Sequence, residues 1–156
     1  MTLYAHVMRE VAESAGLPTL RQIAARPGVK AAYRVTMHYG DYHAADAVTT
    51  VVMRTAQVNA VVETVYLGRF AHTPIRRGMP PAGYAGFTAE LRAVGFDKLR
   101  DHDGLSPYGV DLVMVERAAG TFHKDVIFAP GRAEGDYARM LAAVRLYLPE
   151  ALREVR

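Results

Sequence analysis

Residues 110–129 read VDLVMVERAAGTFHKDVIFA, two strand-like runs joined at Ala119 and Gly120. β-Branched and aromatic residues are frequent in both runs, and apolar and polar side chains alternate in the second. Glycine adopts the positive φ that tight turns require, so Gly120 predicts an antiparallel hairpin here. A loop formed by Ala119 and Gly120 would place Glu116 opposite His123 on the exposed face, as a favourable cross-strand pair.

Amphipathic helices are predicted immediately before and after this hairpin. Before it, apolar residues recur at three- and four-residue steps over residues 84–94. Gly95 ends this helix, because glycine accepts the left-handed conformation just past a helix C-terminus. After the hairpin, an apolar stripe covers residues 137–148, with Asp136 as the predicted N-cap. Helix, hairpin and helix therefore follow one another with little connecting sequence.

The remaining sequence predicts two N-terminal helices and three more strands. The helices are expected within residues 1–28, where they would form a cap on the domain. Strand patterns follow at residues 33–39, 47–56 and 60–70, and the last two are apolar on both faces. Residues 71–83 contain three prolines and two glycines, which predict a surface loop without regular structure.

The predicted order of elements is α-α-β-β-β-α-β-β-α. Runs of strands interrupted by helices are typical of the α+β class, and short links between strands favour antiparallel pairing. We therefore predict a single α+β domain over residues 1–156, with an antiparallel sheet of about five strands and helices mainly on one face.

The composition limits the classes of function. The chain of 156 residues is long enough to bury roughly two thirds of the surface that its unfolded form exposes. It has no cysteine, which excludes disulfides and thiolate chemistry and fits a reducing compartment. It shows no leader pattern and no apolar run of membrane-spanning length, so we expect a cytoplasmic protein without a membrane partner. Its net charge is only +3 and its arginines are dispersed, which does not by itself indicate nucleic acid binding.

Residues 19–29, TLRQIAARPGV, together with Tyr33 resemble the helix-turn-helix of TetR-type repressors. In that family such a segment presents a recognition helix to the DNA major groove. The resemblance implies DNA binding through residues 19–33, with a salt-dependent affinity that involves Arg21 and Arg26. The alternation that begins at Tyr33 instead indicates a strand at the place of the recognition helix. Nucleic acid is therefore not the expected partner.

A turn at residues 38–43 brings two histidines and an aspartate close together. Imidazole and carboxylate groups are ligands for zinc or iron, so His38, Asp41 and His43 are the candidate metal ligands. An enzyme of unassigned reaction class that uses this turn is one alternative function. We otherwise predict no cofactor.

Two other polar groups combine acids with a histidine. Residues 101–104 begin like a calcium-binding loop, but the glutamate that such a loop requires is missing, so they predict a solvated turn. Glu116, His123 and Asp125 would form either an acid/base group on the polar face of the hairpin or an ordinary exposed charge pair. The sequence has no glycine-rich phosphate loop and no nucleophile elbow.

The basic loop after the third strand is the preferred ligand site. Guanidinium groups bind phosphate or carboxylate, an aromatic ring can stack on a ligand ring, and prolines limit the flexibility of a loop. The candidate ligand-binding residues are Arg69, Phe70, His72, Arg76 and Arg77. We therefore expect a small binding or regulatory domain, a homodimer, that holds a partner protein or a small anionic ligand with this loop or its sheet face.

Overall fold

The computed structural model describes residues 3–41, 44–68, 73–105 and 109–152. In chain order the helices and strands are α1 (Leu3–Ser14), α2 (Leu20–Ala24), β1 (Val29–His38), β2 (Ala47–Arg54), β3 (Ala60–Tyr66), β4 (Ile75–Met79), α3 (Pro81–Ala93), β5 (Leu112–Ala119), β6 (Phe122–Phe128) and α4 (Gly135–Tyr147). Short 3-10 turns follow α3, β6 and α4, at Phe96–Lys98, Pro130–Arg132 and Pro149–Ala151. None of the described helices has both the length and the apolar character needed to cross a bilayer.

The described strands form one sheet in the order β4-β3-β2-β1-β5-β6. Every neighbouring pair is antiparallel. The first four strands follow one another across the sheet, and the β5–β6 hairpin joins the free side of β1. The α+β class and the antiparallel sheet are confirmed, with six described strands where about five were predicted.

The additional strand, β4, lies within the segment for which we predicted no regular structure. Prolines flank this strand and do not interrupt it, since Pro74 precedes its first residue and Pro80 follows its last. Proline is tolerated at the ends of an edge strand, where a missing N–H does not break the ladder. Pro81 then occupies the first turn of α3, where its fixed φ suits a helix start, so α3 begins before Tyr84.

The two long helices, α3 and α4, pack on one face of the sheet. Their apolar stripes surround the fully buried rings of Phe87 and Phe128, as the sequence pattern predicted. Gly95 has a φ of 64° just past α3, which confirms its role at the end of that helix. The N-cap of α4 is Glu134, and Asp136, which we predicted there, lies in the first turn instead.

The N-terminal helices α1 and α2 cover the other face of the same sheet. α1 packs on a cluster that includes Met114 and Ile127. α2 packs on Ala32 and Ala118, whose small side chains let a helix approach closely. The helices are thus divided between the two faces, where we expected them mainly on one. This division explains why β1, β2 and β5 are buried almost throughout.

The β5–β6 hairpin is present with a different register. Its loop begins at Gly120, which has a φ of 57°, and Ala119 is paired within the ladder. Glu116 therefore faces Asp125 and not His123. Glu116 and His123 still meet diagonally, with 2.9 Å between Oε2 and Nε2, but their side chains are only 8% and 7% exposed. The pair is buried under the N-terminal helices, so its predicted exposure was wrong.

Candidate functional site

A polar row crosses the sheet on the face that α1 and α2 cover. Strand register places one member on each of the six strands, so all the side chains leave the same face. From β4 to β6 the members of the polar row are Arg76, Glu63, Thr50, Arg34, Glu116 and Asp125. Burying polar groups beneath helices costs free energy unless each group has a hydrogen-bond partner. The hydrogen bonds of the polar row therefore show which of its groups remain available to a ligand.

Arg34 is the buried charge at the centre of the polar row, with only 2% of the residue exposed. Its Nε donates to Thr50 Oγ1 at 3.0 Å, and its Nη1 donates to the Pro18 carbonyl oxygen at 2.9 Å. Its Nη2 has no hydrogen-bond partner within the described residues. Burial lowers the pKa of Arg34, and the negative charge of Glu116 on the next strand partly opposes this. The guanidinium nevertheless stays charged, because arginine does not deprotonate in proteins.

Two cavities border Arg34. The outer cleft, of about 210 Å³, lies between α2 and strands β2, β3 and β4. The inner cavity, of about 130 Å³, lies between α1, α2 and the β5–β6 hairpin. Arg34 lines both of them, together with Leu17 and Pro18 of the α1–α2 connection. The connection therefore covers the guanidinium and leaves a cavity on each side of it.

The outer cleft is strongly basic. Four guanidinium groups face a single carboxylate there: Arg26, Arg34, Arg54 and Arg76 with Glu63. Arg26 follows α2, Arg54 ends β2 and Arg76 projects from β4, so separate elements surround Arg34 with positive charge. Among the described residues, Arg26, Arg54 and Arg76 form no side-chain hydrogen bond or ion pair. Their charges are therefore available to a ligand.

The connection that covers Arg34 is fixed by the N-cap of α2. Gln22 N donates to Thr19 Oγ1 at 3.1 Å, and Thr19 N donates to Gln22 Oε1 at 2.8 Å. This reciprocal capping box satisfies two backbone groups at the start of the helix. Pro18 stands directly before the cap, so the capping box positions the carbonyl oxygen that accepts from Arg34.

The inner cavity is lined by groups of both signs. The buried Glu116–His123 pair borders it, and Arg9 of α1 donates to Asp125 Oδ2 at 3.0 Å. The structure thus brings the three members of the predicted acid/base group together. It also gives each carboxylate a basic partner, His123 for Glu116 and Arg9 for Asp125. Such pairing occurs in structural networks as well as in catalytic sites.

The structure divides the residues of the predicted ligand loop. Three of them lie outside the described residues: Arg69, Phe70 and His72. Arg76 and Arg77 are adjacent in β4, so their side chains leave opposite faces of the sheet. Arg76 lines the outer cleft. Arg77 donates to both carboxylate oxygens of Glu150, at 2.7 and 2.8 Å, and to the Tyr147 carbonyl oxygen at 2.8 Å, so it ties β4 to the end of α4.

The predicted metal turn is described only in part, because His43 lies outside the described residues. His38 Nδ1 lies 2.9 Å from Asp46 Oδ2, and Asp46 Oδ1 accepts from Tyr39 N at 2.9 Å. Asp46, which sequence reasoning missed, thus fixes the imidazole, while Asp41 is exposed. Within the described ranges, no three His, Asp or Glu side chains are grouped as metal ligands would be. A metal-dependent enzyme at His38, Asp41 and His43 stays a hypothesis.

The first half of the segment 101–104 lies along β6, whereas Asp103 and Gly104 form an exposed turn as predicted. His102 N donates to the Ile127 carbonyl oxygen at 2.8 Å, and Ile127 N donates to Asp101 Oδ1 at 2.9 Å. The His102 ring also lies beside the Tyr137 ring, with 4.5 Å between their centroids. Asp101 and His102 are therefore half-buried, which corrects the prediction for these two residues.

The carboxyl of Asp101 gives a pH-dependent prediction. Burial raises its pKa above the ordinary 3.8, while the hydrogen bond from Ile127 N partly opposes the shift. A raised folded-state pKa means that ionised Asp101 lowers stability above both pKa values and that this cost disappears below them. We expect Asp101→Asn, which keeps the Oδ1 acceptor, to raise the Tm near pH 7 and to leave it unchanged near about pH 3. Thermal unfolding at both pH values measures this, and an equal difference at both would contradict it.

The helix-turn-helix resemblance ends at α2. This helix spans Leu20–Ala24, and β1 occupies the place where a recognition helix would follow. Tyr33 is only 6% exposed within β1. Arg21 lines the inner cavity and Arg26 the outer cleft. DNA binding through this segment stays a hypothesis for which the described residues offer no recognition helix.

Sequence reasoning missed Arg34, Thr50 and Glu63. Each is a polar residue in a strand that is otherwise rich in apolar side chains, and this was the only signal available. Their alignment in one row depends on which strands are neighbours, which a single sequence does not state. No protein-family model matches the chain, and the comparison with curated proteins gives no match.

Proposed function

We propose that this protein is a small binding domain whose outer cleft holds a compact oxyanion, a phosphate or a carboxylate group. The observation that carries the proposal is the excess of positive charge in the outer cleft, whose lining contains four arginines and one carboxylate. One of these arginines, Arg34, is only 2% exposed, and its Nη2 has no hydrogen-bond partner within the described part of the chain. A buried donor without a partner costs roughly 1–3 kcal/mol, and more on a charged group. Nη2 is shielded from solvent, so a ligand oxygen that accepts from it and removes this cost must enter where the α1–α2 connection covers Arg34.

The surrounding residues suit such an anion. Arg26, Arg54 and Arg76 raise the local concentration of anions through their summed positive potential. Thr50 Oγ1 accepts from Arg34, so its hydroxyl proton remains for donation to a ligand oxygen. Glu63, which faces both Thr50 and Arg76 in the ladder, can accept from a hydroxyl of the ligand. The cleft therefore favours an oxyanion that also carries an acidic or alcoholic OH.

Titrations with inorganic phosphate and with acetate test this function. We expect calorimetry at low salt to show binding that weakens as salt is added, because the arginines at the cleft mouth are exposed to counterions. Arg76→Gln should lower the affinity by about tenfold, which corresponds to the loss of one charge-assisted hydrogen bond. Tighter binding of phosphate would indicate a phosphate site, and tighter binding of acetate would indicate a carboxylate site.

Arg77→Gln is the matched control, because it makes the same change in the adjacent residue on the opposite face. It removes the hydrogen bonds to Glu150 and should lower the Tm while it leaves the anion affinity unchanged. An equal loss of affinity in both variants would show a response to net charge alone. Failure of the wild type to bind either anion would refute the proposal.

The proposal concerns a single chain. Helices cover both faces of β2, so one chain accounts for the two-sided apolar pattern of that strand, while one face of β3 borders the outer cleft. The homodimer, a partner protein and the cytoplasmic location stay predictions. Native mass spectrometry of the purified protein would report the number of subunits and any retained ligand.

A further inference from the structure

A larger cleft lies on the opposite face of the sheet from Arg34. Its volume is about 480 Å³, which is within the range of small-molecule sites in proteins. The C-terminal half of α3 forms one wall, β1 and β5 form the other, and the 3-10 turn Phe96–Lys98 closes one end. This second cleft is separated from the outer cleft by the sheet itself.

The floor of the second cleft is apolar and aromatic. It is formed by Tyr33, Leu91 and Phe96, which are 6%, 2% and 3% exposed. The Tyr33 ring packs edge-on against Tyr84 and Phe87, with centroid distances of 6.0 and 5.7 Å. A ring held by such packing loses little conformational entropy when a ligand contacts it.

The rim of the second cleft is basic. Arg117 donates from Nε and Nη2 to the Asp97 carboxylate, at 2.9 and 2.7 Å, and its guanidinium carbon lies 4.5 Å from the centroid of the Phe122 ring. Arg92 and Lys98 also line the cleft, and neither forms an ion pair within the described residues. Two cations that have no acidic partner among the described residues therefore lie beside an apolar and aromatic floor.

We propose that the second cleft binds a planar aromatic acid. The ring of the ligand lies on the floor, and its anionic group faces Arg92 and Lys98. Arg117, held in place by Asp97 and Phe122, offers a flat guanidinium on which the ring can stack. A polar anion without a ring would leave the apolar floor in contact with water, and a neutral ring would leave the cations without a counter-charge. Both features of the cleft therefore point to one class of ligand.

Three related compounds separate the parts of this proposal: 2-naphthoate, the neutral 2-naphthamide and the saturated decahydronaphthalene-2-carboxylate. We expect 2-naphthoate to bind most tightly by calorimetry. The amide lacks the charge and the saturated acid lacks the flat ring, so each should bind at least about fivefold more weakly. Equal affinity for either analogue would overturn the corresponding part of the proposal and with it the ligand class.

Substitutions test whether 2-naphthoate binds in the second cleft. Arg92→Gln combined with Lys98→Gln changes two exposed residues and should weaken 2-naphthoate binding by about fivefold. Arg132→Gln combined with Arg139→Gln is the control and should leave this affinity unchanged, because it changes two exposed arginines that line neither the second cleft nor the outer cleft nor the inner cavity. Nuclear Overhauser contacts are expected from the ligand ring to the Leu91 methyl groups. Contacts to Ile23 or Val61 of the outer cleft instead, or an unaffected double variant, would refute the site.

Discussion

An Arg34→Met variant is expected to lose oxyanion binding by at least about tenfold while its stability stays close to that of the wild type. The loss of binding follows because a hydrogen bond from a charged donor contributes roughly 1.5–3 kcal/mol, a factor of about ten or more in affinity. The stability is retained because methionine replaces a buried charge with an apolar side chain of similar length. Removal of one charge usually destabilises a protein when it leaves a buried opposite charge unpaired, but here Glu116 keeps its ion pair with His123.

Two opposing terms decide the stability of this variant. Arg34→Met removes the hydrogen bonds to Thr50 and to the Pro18 carbonyl oxygen, each of which contributes about 1 kcal/mol. It also removes the burial of a guanidinium whose Nη2 has no partner among the described residues, a cost of several kcal/mol that Glu116 offsets only in part. The terms are similar in size, so we expect a net change within about 2 kcal/mol.

Urea unfolding and phosphate calorimetry on the same protein measure both quantities. Thr19→Ala is the control, because it weakens the cap of the α1–α2 connection without changing a charge. It should lower the stability by about 1 kcal/mol and change the phosphate affinity far less than Arg34→Met does, because the guanidinium and its hydrogen bond to Thr50 remain. If Arg34 served only to hold the connection, Arg34→Met would instead lower the stability by about 3–5 kcal/mol with no change in any measured affinity.

The sequence predicts the elements of this fold better than it predicts the site. The stripes of α3 and α4 and the glycines at residues 95 and 120 are local signals, and each is found where it was expected. The prolines around β4 led us to predict a loop there. Proline excludes a central strand but is tolerated at the ends of an edge strand, and β4 lies at the edge of the sheet. The α1 and α2 helices were predicted as a cap, but the pattern did not say which face they cover.

Arg34 shows why the site required the structure. It alternates with Tyr33 and Val35, and a charged residue between apolar ones is the pattern of a strand with one face in water. The helices α1 and α2 cover that face, so Arg34 is buried. Of the predicted ligand residues, Arg76 lines the outer cleft. It was predicted as a ligand residue because guanidinium groups bind phosphate and carboxylate, and the cleft is lined by such groups.

Gly40→Ala is expected to destabilise the protein by about 3 kcal/mol, since it combines overpacking with the loss of a hydrogen bond. A methyl group at residue 40 would lie closer than 3.0 Å to backbone atoms of Gly109 and Val110. Backbone atoms cannot rotate away as the end of a side chain can, so the turn after β1 must separate from the segment before β5. That movement also breaks the hydrogen bond from Gly40 N to Asp111 Oδ1, now at 2.9 Å.

Thermal unfolding of Gly40→Ala beside Gly131→Ala isolates this steric effect. Apart from residue 131 and its two chain neighbours, no atom of the described residues lies within 4 Å of a Cβ at that position. Its φ is not positive either, so this control should change the stability by less than about 0.5 kcal/mol. For a chain of 156 residues, the loss in Gly40→Ala corresponds to a Tm lower by roughly 6–12 °C. Equal Tm values for the two variants would mean that the turn relaxes at little cost. Gly40 would then be replaceable, and the close approach of the two backbones would not be what fixes the β1 end of the sheet.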